Sequence, residues 1–442
     1  MSIVCTWEVV MASFRFAFKR RAVAMVVVVL SWSASQVGAQ SPGRLALHEA
    51  LGLAQSNAPA LNAATIGARA AREQAVAAGQ LPDPILRFGV ENLPANGPDA
   101  WKVGNDFMTM RRIGVMQEYV TTDKRDLLRR RVELEAVRQE ATRSRLTANL
   151  RQEVAVAWFE RYYAGKSREL LKTLEAEVEL QLRTLDSQIR AGKAGVGDAS
   201  LATAALLQLR DRLMVADKQE RVAQIALGRW LGKDAAREPE AAPDVDSLAL
   251  DLANPGLLDA APALREHESE SEFSRADLAV AQSNKRANWS WEVAYSQRGP
   301  AYSNMVSFGV SIPLTFNASN KQDREVAARQ AQLEQAHVLH EDMRRETEAA
   351  LAAAHAEWKS LVDRRKRLAA ALLPVAGQRV ELALGAYRAG SGSLPAVLEA
   401  RRAEVEARMQ LLDLERETAR LWAQLNFAYV EPAMARAKGT QP

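Results

Sequence analysis

The sequence predicts a mainly α-helical chain that also carries four strands of a transmembrane β-barrel. Aromatic residues make up only 6% of its 442 residues, while alanine, leucine, glutamate, glutamine and arginine are abundant. This composition favours long helices over a globular enzyme core. No proline occurs between Pro98 and Pro239, which permits very long helices. Four short segments alternate apolar residues with small or charged ones, as outer-membrane strands do.

The N-terminal segment has the pattern of a cleaved secretory signal. Basic residues at 19–21 precede an apolar run at 22–30, and the small residues at 37–39 form a cleavage site, so the mature chain is expected to begin at Gln40. The alternative is a membrane anchor, but the apolar run is too short to cross a bilayer. We therefore predict a signal peptide at residues 1–39.

Most of the basic excess of the chain lies in this segment. The net charge is +4 with 58 basic and 54 acidic residues, and removal of residues 1–39 leaves 54 and 53. A nucleic-acid partner is therefore not expected. The single cysteine, Cys5, is removed as well. The mature chain is expected to have no disulfide, no thiolate metal site and no cysteine for lipidation.

Two halves of the chain repeat the same sequence features. The repeated features lie 192 to 203 positions apart, which indicates a large internal duplication and not a solenoid. They are Asn57–Leu61 with Ala260–Leu264, Ile113–Val115 with Phe308–Val310, Arg190–Gly192 with Arg388–Gly390, and Trp230 with Trp422. We predict a first repeat at 40–231, an inter-repeat linker at 232–256, a second repeat at 257–430 and a C-terminal tail at 431–442.

Each repeat is predicted to contain one long helix beside two shorter helices stacked end to end. In the first repeat the long helix covers residues 123–191, or about 100 Å at helical rise, with Asp198 as the N-cap of the helix that returns beside it. The shorter partners are 45–80 and 198–231 in the first repeat, and 257–288 and 394–430 in the second, whose long helix covers 317–389. Pro374 should bend that helix. The last helix has apolar residues at coiled-coil spacing, interrupted by Glu404 and Thr418.

The four strand segments each have one apolar face. We expect this face to contact outer-membrane lipid, since no other element is available to cover it. Its residues are Leu86, Phe88, Val90, Trp289, Trp291, Tyr295, Val306, Phe308, Val310 and Ile312. The strand around 113–119 alternates least regularly. Four strands cannot close a barrel and lipid tolerates no unpaired edge, so several copies must complete one barrel, in a number that these patterns leave open.

Three stretches resemble the TolC outer-membrane efflux family. Residues 114–117 with 123–125 look like the strand-to-helix entry of the family, 310–314 look like its counterpart in the second repeat, and 387–390 with 397–401 look like its periplasmic tip. The resemblance covers residues 45–232 and 257–430. Leu373–Pro374 and the tip that follows are more similar to the heavy-metal CzcC/CusC branch than to TolC itself.

The resemblance implies a homotrimer with a twelve-stranded barrel in the outer membrane and a coiled-coil α-helical tunnel in the periplasm. It implies a passive exit duct that docks, through a periplasmic adaptor (a membrane fusion protein), to an inner-membrane pump of the RND type. The cargo implied by the branch is heavy-metal cations, which would make the chain part of a resistance system. Drug efflux and type I protein secretion are the alternatives within the family.

In this family acidic side chains just after each tip turn form a ring at the closed periplasmic end. Asp198 and Glu399 match these positions, whereas Ala396 stands where some members have a further acid. The adjoining turn residues of the predicted gate are Gly192, Gly390, Arg190 and Arg388. The alternatives are a helix cap for Asp198 and a solvated helix face for Glu399.

Two other classes of protein are alternatives to the channel. A soluble periplasmic adaptor also has long helical hairpins, but it lacks paired amphipathic strands and duplicated tips. An enzyme would need a site, and the only metal-like spacing is that of His337, His340 and Glu341 on one densely polar helix. There is no glycine-rich phosphate loop and no nucleophile elbow. We therefore expect no enzyme activity, no cofactor and no resident metal.

Overall fold

The computed structural model describes residues 43–191, 195–250, 254 and 256–429. The predicted signal peptide, the C-terminal tail and Gly192 lie outside the described residues. The described chain is mainly α-helical with one four-stranded antiparallel sheet, which confirms the predicted fold class. The helices are α1 (Leu47–Ser56), α2 (Pro59–Ala78), α3 (Thr122–Arg190), α4 (Val196–Leu231), α5 (Pro262–Ser283), α6 (Gln322–Arg367), α7 (Leu373–Arg388) and α8 (Leu394–Phe427), and the strands are β1 (Ile85–Glu91), β2 (Met110–Tyr119), β3 (Trp289–Gln297) and β4 (Met305–Ser311).

The long helix of the first repeat forms as predicted, over 69 residues from Thr122 to Arg190. It packs beside α2 and α4, which extend along it from opposite ends. The prediction of a single opening helix at 45–80 is wrong. That segment divides into α1 and α2 because Pro59, which has no backbone N–H to donate, begins a new helix at its first position.

The long helix of the second repeat is interrupted where the sequence predicted a bend. A single π-helical turn at Leu368–Leu372 separates α6 from α7, and Pro374 follows it directly. A proline inside a helix removes one hydrogen bond and collides with the preceding turn, and a π turn makes room for it. One helical stretch, Ala318–Arg388, contains a window long and apolar enough to cross a membrane, and most of that window is exposed in the single chain.

The four strands follow one another in the sheet, and every neighbouring pair is antiparallel. The helices that connect to the strands, α2, α3, α5 and α6, all do so at one end of the sheet, and the loops β1–β2 and β3–β4 lie at the other. β2 runs over ten residues and pairs with β1 along Met110–Met116 and with β3 along Arg111–Tyr119, although the alternation of its sequence is weak. The predicted fourth strand is too long, since β4 ends at Ser311 and Pro313 cannot continue the ladder.

Ion pairs at heptad spacing join α3 to α5. Arg131 pairs with Asp277, Arg138 with Glu270, and Arg145 with Glu266. Lys124 extends the same heptad row, and its Nζ donates to Asn288 at 3.0 Å. A strict seven-residue repeat keeps one stripe of a helix facing its neighbour, so the row sets the register of these two helices.

The largest apolar cluster lies halfway along α3, around Trp158 and Phe159. The indole N–H of Trp158 donates to the backbone oxygen of Leu45 at 3.0 Å, and that of Trp358 donates to Val245 at 3.1 Å. Trp358 lies 200 positions after Trp158, and Val245 lies 200 positions after Leu45, so the two hydrogen bonds are counterparts in the duplication. The duplication therefore reaches into the segment predicted as the linker.

Candidate functional site

The two faces of the sheet differ in chemistry. The strand register places nine of the ten predicted lipid-facing residues on one face of the sheet. They stand in rows with further apolar residues of β2 and β3, and one such row is Leu86, Val115, Val293 and Phe308. Ile312 is the exception, because it lies just beyond the end of β4. Tyr119 and Trp289 pack with ring centroids 5.2 Å apart at the helical end of this face. A band of aliphatic residues with aromatics at its edge is the surface that an outer-membrane strand presents to lipid.

The opposite face of the sheet is polar and carries a network of charges centred on Arg112. Arg112 Nη1 donates to Glu91 Oε1 at 2.9 Å and its Nη2 donates to Glu292 Oε1 at 3.1 Å. Arg87 Nη1 stands 3.9 Å from Glu292 Oε2. Gly114 on this face lies against Ala294, where a Cβ would come within 2.8 Å of the alanine methyl group. The polar face is therefore a close-packed surface with fixed charges.

The loops at the far end of the sheet are tied together. The guanidinium of Arg298 donates to the backbone oxygen of Phe107, and its carbon lies 5.0 Å from the ring centre of Tyr302. Gly299 sits so close to Gly104 that a Cβ would lie 2.3 Å from the glycine carbonyl oxygen. The two loops thus form one joined end to the sheet.

At the opposite end of the molecule, α7 and α8 meet in a glycine turn. Gly390 has a φ of +75°, a conformation that favours glycine. The N–H of Gly390 donates to Tyr387 O at 3.1 Å, and the N–H of Ser391 donates to Ala386 O at 3.0 Å. These two bonds form a Schellman motif, which closes the end of α7 and allows a tight reversal into α8.

Asp198 lies in the first turn of α4 but is not its N-cap, which corrects the prediction. Gly195 is the N-cap, and the carboxylate of Asp198 accepts a hydrogen bond from the Gly195 N–H at 3.1 Å. This is the carboxylate half of a capping box. Burial of the Tyr387 phenol, together with the negative charge of Asp198, raises the pKa of Tyr387. Ala199 near the start of α4 and Tyr387 at the end of α7 pack against the same apolar cluster, so these two helix ends lie side by side.

A small apolar cluster and a set of charges bind the two tips to each other. The cluster has Leu185, Ala202 and Leu394 at its centre. Above it Glu404 is buried on α8 and accepts from Arg401 at 2.9 Å and from Arg408 at 2.6 Å, while Arg401 also stands 3.5 Å from Glu177 on α3. The sequence marked Glu404 only as a break in the coiled-coil seam. Both of its partners lie on α8 itself, but its burial depends on packing against other helices, which no local pattern encodes.

The described residues of the predicted gate lie at one end of the molecule, but they are not joined in one network. Glu399 is exposed on α8 and lines a groove with Arg402 and Gln208. Arg190 and Arg388 are exposed at the ends of α3 and α7, and neither forms an ion pair with a described acidic residue. Sequence reasoning missed that Tyr387 packs at this end, where the charge of Asp198 acts on it.

The histidine and glutamate residues of α6 that have metal-ligand spacing in the sequence do not form a metal site in the described structure. Among the described residues no group of three or more histidine, cysteine, aspartate or glutamate side chains is placed to hold a metal ion, and this includes His337, His340 and Glu341. Their sequence spacing reflects a polar face of α6.

Part of the sequence matches a known protein family. Residues 255–429 match the family model described as "Outer membrane efflux protein". No curated protein sequence matches the chain.

The fold is that of several solved structures. That of CusC has a TM-score of 0.74 at 17% identity, covering 87% of this chain and 92% of that chain. The outer membrane protein VceC from Vibrio cholerae has a TM-score of 0.70 at 17% identity, covering 87% and 96%. The CmeC outer membrane channel of Campylobacter jejuni has a TM-score of 0.71 at 15% identity, covering 87% and 85%.

These matches are to outer-membrane channels and efflux proteins and not to enzymes, in agreement with the outer-membrane location expected from the sequence. The family match confirms the resemblance over the second repeat, and the described chain shares the fold of these outer-membrane channel structures.

Proposed function

We propose that this chain is the outer-membrane channel subunit of a tripartite efflux system and forms a passive exit duct as a homotrimer. Three sheets would close a twelve-stranded barrel in the outer membrane, and the helices of the three copies would enclose a periplasmic tunnel. The partners are a periplasmic adaptor and an inner-membrane RND pump, which supplies the driving force.

One observation carries the proposal. The sheet has four strands with an apolar outer face, and the outer edges of β1 and β4 have no partner within the described chain. Phe88 and Phe308, on these two edge strands, expose 82% and 80% of their surface. An open apolar sheet of this kind is stable in a membrane only when its edges are paired, because lipid offers no hydrogen bonds. Pairing β4 of one copy with β1 of the next satisfies both edges at once.

The exposed surface of the tunnel helices supports the same assembly. On α4 Val196, Met214, Val222 and Ile225 each expose more than half of their surface, and on α7 Leu382 exposes 74%. These side chains are available for contacts with the helices of other copies. A soluble adaptor would need a second element to cover the apolar sheet face, and the described chain offers none.

For the substrate we propose heavy-metal cations. Leu373–Pro374 and the tip resemble the heavy-metal branch of the family, and the structure of CusC is among those that share the fold. Deletion of the gene should lower the concentrations of zinc, cobalt, copper or silver salts that stop growth, and leave those of dyes and detergents unchanged. The reverse pattern of sensitivities would favour the drug-efflux alternative.

The assembly can be tested by cross-linking the two edge strands. Gly89 on β1 and Gly309 on β4 both lie on the polar face, and a Cβ at either position meets no atom within 4 Å. The mature chain is expected to contain no cysteine, so Gly89→Cys/Gly309→Cys would carry the only thiols. A short bis-maleimide should convert this variant into covalent trimers in outer-membrane fractions.

The single variants Gly89→Cys and Gly309→Cys are the matched controls. In the proposed barrel β1 contacts only β4 of the neighbouring copy, so neither single variant should give more than traces of dimer. Monomers alone from the double variant, or equal cross-linking of the single variants, would refute the proposed closure.

A further inference from the structure

Two arginines and two glutamates form the charged network on the polar face of the sheet, and one of the arginines holds both acids. Arg112 of β2 reaches Glu91 on β1 with one terminal nitrogen and Glu292 on β3 with the other, at 2.9 and 3.1 Å. Arg87 is the only other cation within 4.0 Å of either carboxylate among the described residues, and its 3.9 Å separation from Glu292 is too long for a hydrogen bond. Arg112 is therefore the one described cation that hydrogen-bonds both acids.

The register explains how one side chain reaches two strands. Arg112 stands opposite Gly89 on β1 and opposite Ser296 on β3, and neither neighbour is large enough to hold the guanidinium upright. The guanidinium spreads between the carboxylates on either side, each of which is bound by one of its two terminal nitrogens. This fixes the position of the positive charge on the wall of the sheet.

We propose that Arg112 controls the ion selectivity of the barrel section of the channel by holding a positive charge between Glu91 and Glu292. The inference rests on the proposed function, in which the polar face lines the lumen. Arg87, Arg112, Glu91 and Glu292 together carry no net charge, so this section of the wall is neutral. Without Arg112 each copy would leave one uncompensated negative charge, and a trimer would have three at one height of the lumen.

The matched pair of variants is Arg112→Gln and Arg111→Gln. Arg111 is the preceding residue on the same strand, but its partners are Val90 and Gln297, so it lies on the apolar face. Both variants remove one positive charge from each copy, and only the first removes it from the polar face. A change in net charge alone would affect the two variants equally.

The measurement is the reversal potential of purified channels in planar bilayers under a potassium chloride gradient. Arg112→Gln should raise the ratio of cation to anion permeability by at least about twofold near 10 mM salt, where the Debye length is about 30 Å. The increase should shrink towards 1 M salt, where that length is about 3 Å. Arg111→Gln should retain the wild-type ratio at both concentrations.

A second variant keeps the inference testable if Arg112→Gln does not assemble. Glu91→Gln/Glu292→Gln leaves Arg112 in place and removes the acids, so its selectivity should shift towards anions. Addition of Arg112→Gln to this pair should bring the ratio back towards the wild-type value. Equal shifts in Arg112→Gln and Arg111→Gln, or no anion shift in the double variant, would overturn the inference.

The outcome also separates this inference from the proposed function. A wild-type protein without conductance would contradict the channel itself. If the wild-type channel conducts but Arg112→Gln leaves its ion selectivity unchanged, only the role given to Arg112 is contradicted.

Discussion

Phe308→Arg tests which face of the sheet meets lipid. Phe308 is the central residue of the seven in β4, about 10 Å from either end of the strand, and 80% of its surface is exposed in the single chain. In an apolar band about 25 Å tall this position is close to the bilayer midplane, where an arginine on the lipid face costs about 2–4 kcal/mol. Three copies multiply the cost to about 6–12 kcal/mol per trimer, if the sites are independent.

The control is Ser307→Arg, one residue earlier on β4 and on the polar face, where its partner is Ala294. An arginine there would point into water and should cost little. The assay is the yield of heat-resistant trimer in outer-membrane fractions, followed by urea unfolding of the purified protein. We expect loss of trimer for Phe308→Arg and near wild-type assembly for Ser307→Arg. Equal losses for the two variants, or normal assembly of both, would show that the assignment of the faces is wrong.

Three further predictions concern the tip and the N-terminus. Gly390→Ala should destabilise the tip by about 1–2 kcal/mol, because φ is +75° at this position. Gly385→Ala should instead stabilise α7 by about 0.5–1 kcal/mol, because glycine is unfavourable inside a helix. Thermal unfolding measures both changes. Asp198→Asn/Glu399→Gln should diminish cation selectivity and block by multivalent cations from the periplasmic side, because a narrow anionic ring concentrates cations; unchanged bilayer recordings would remove both residues from the gate. The intact mass of the mature chain should correspond to Gln40 as its first residue without acyl chains, and retention of residues 20–35 would contradict cleavage at this site.

The sequence predicts the long elements well because their signals are local. The absence of proline allows α3 to run for 69 residues, and the glycines of the tip turn end α7 where predicted. The alternation of β3 and β4 identifies their apolar face without any structural information. Such patterns repeat over many residues, so one irregular position changes little.

What the sequence could not predict depends on single residues or on distant contacts. Pro59 divides the opening helix, yet a proline at that spacing also fits a helix with a kink. The pairing of Arg112 with Glu292 joins residues 180 positions apart, and the approach of Asp198 to Tyr387 requires the two repeats to pack side by side. Glu404 is an interruption in the sequence pattern, but a buried and fully paired group in the fold.

Conductance of the purified wild-type chain tests the central claim most directly. The mature protein would be extracted from outer-membrane fractions and added to a planar bilayer. We predict discrete conductance steps from a species with the mass of three chains, with no step from the monomer. Recovery of the protein in the soluble periplasmic fraction, or a membrane-extracted trimer that conducts no ions, would contradict the claim that this chain is an exit duct.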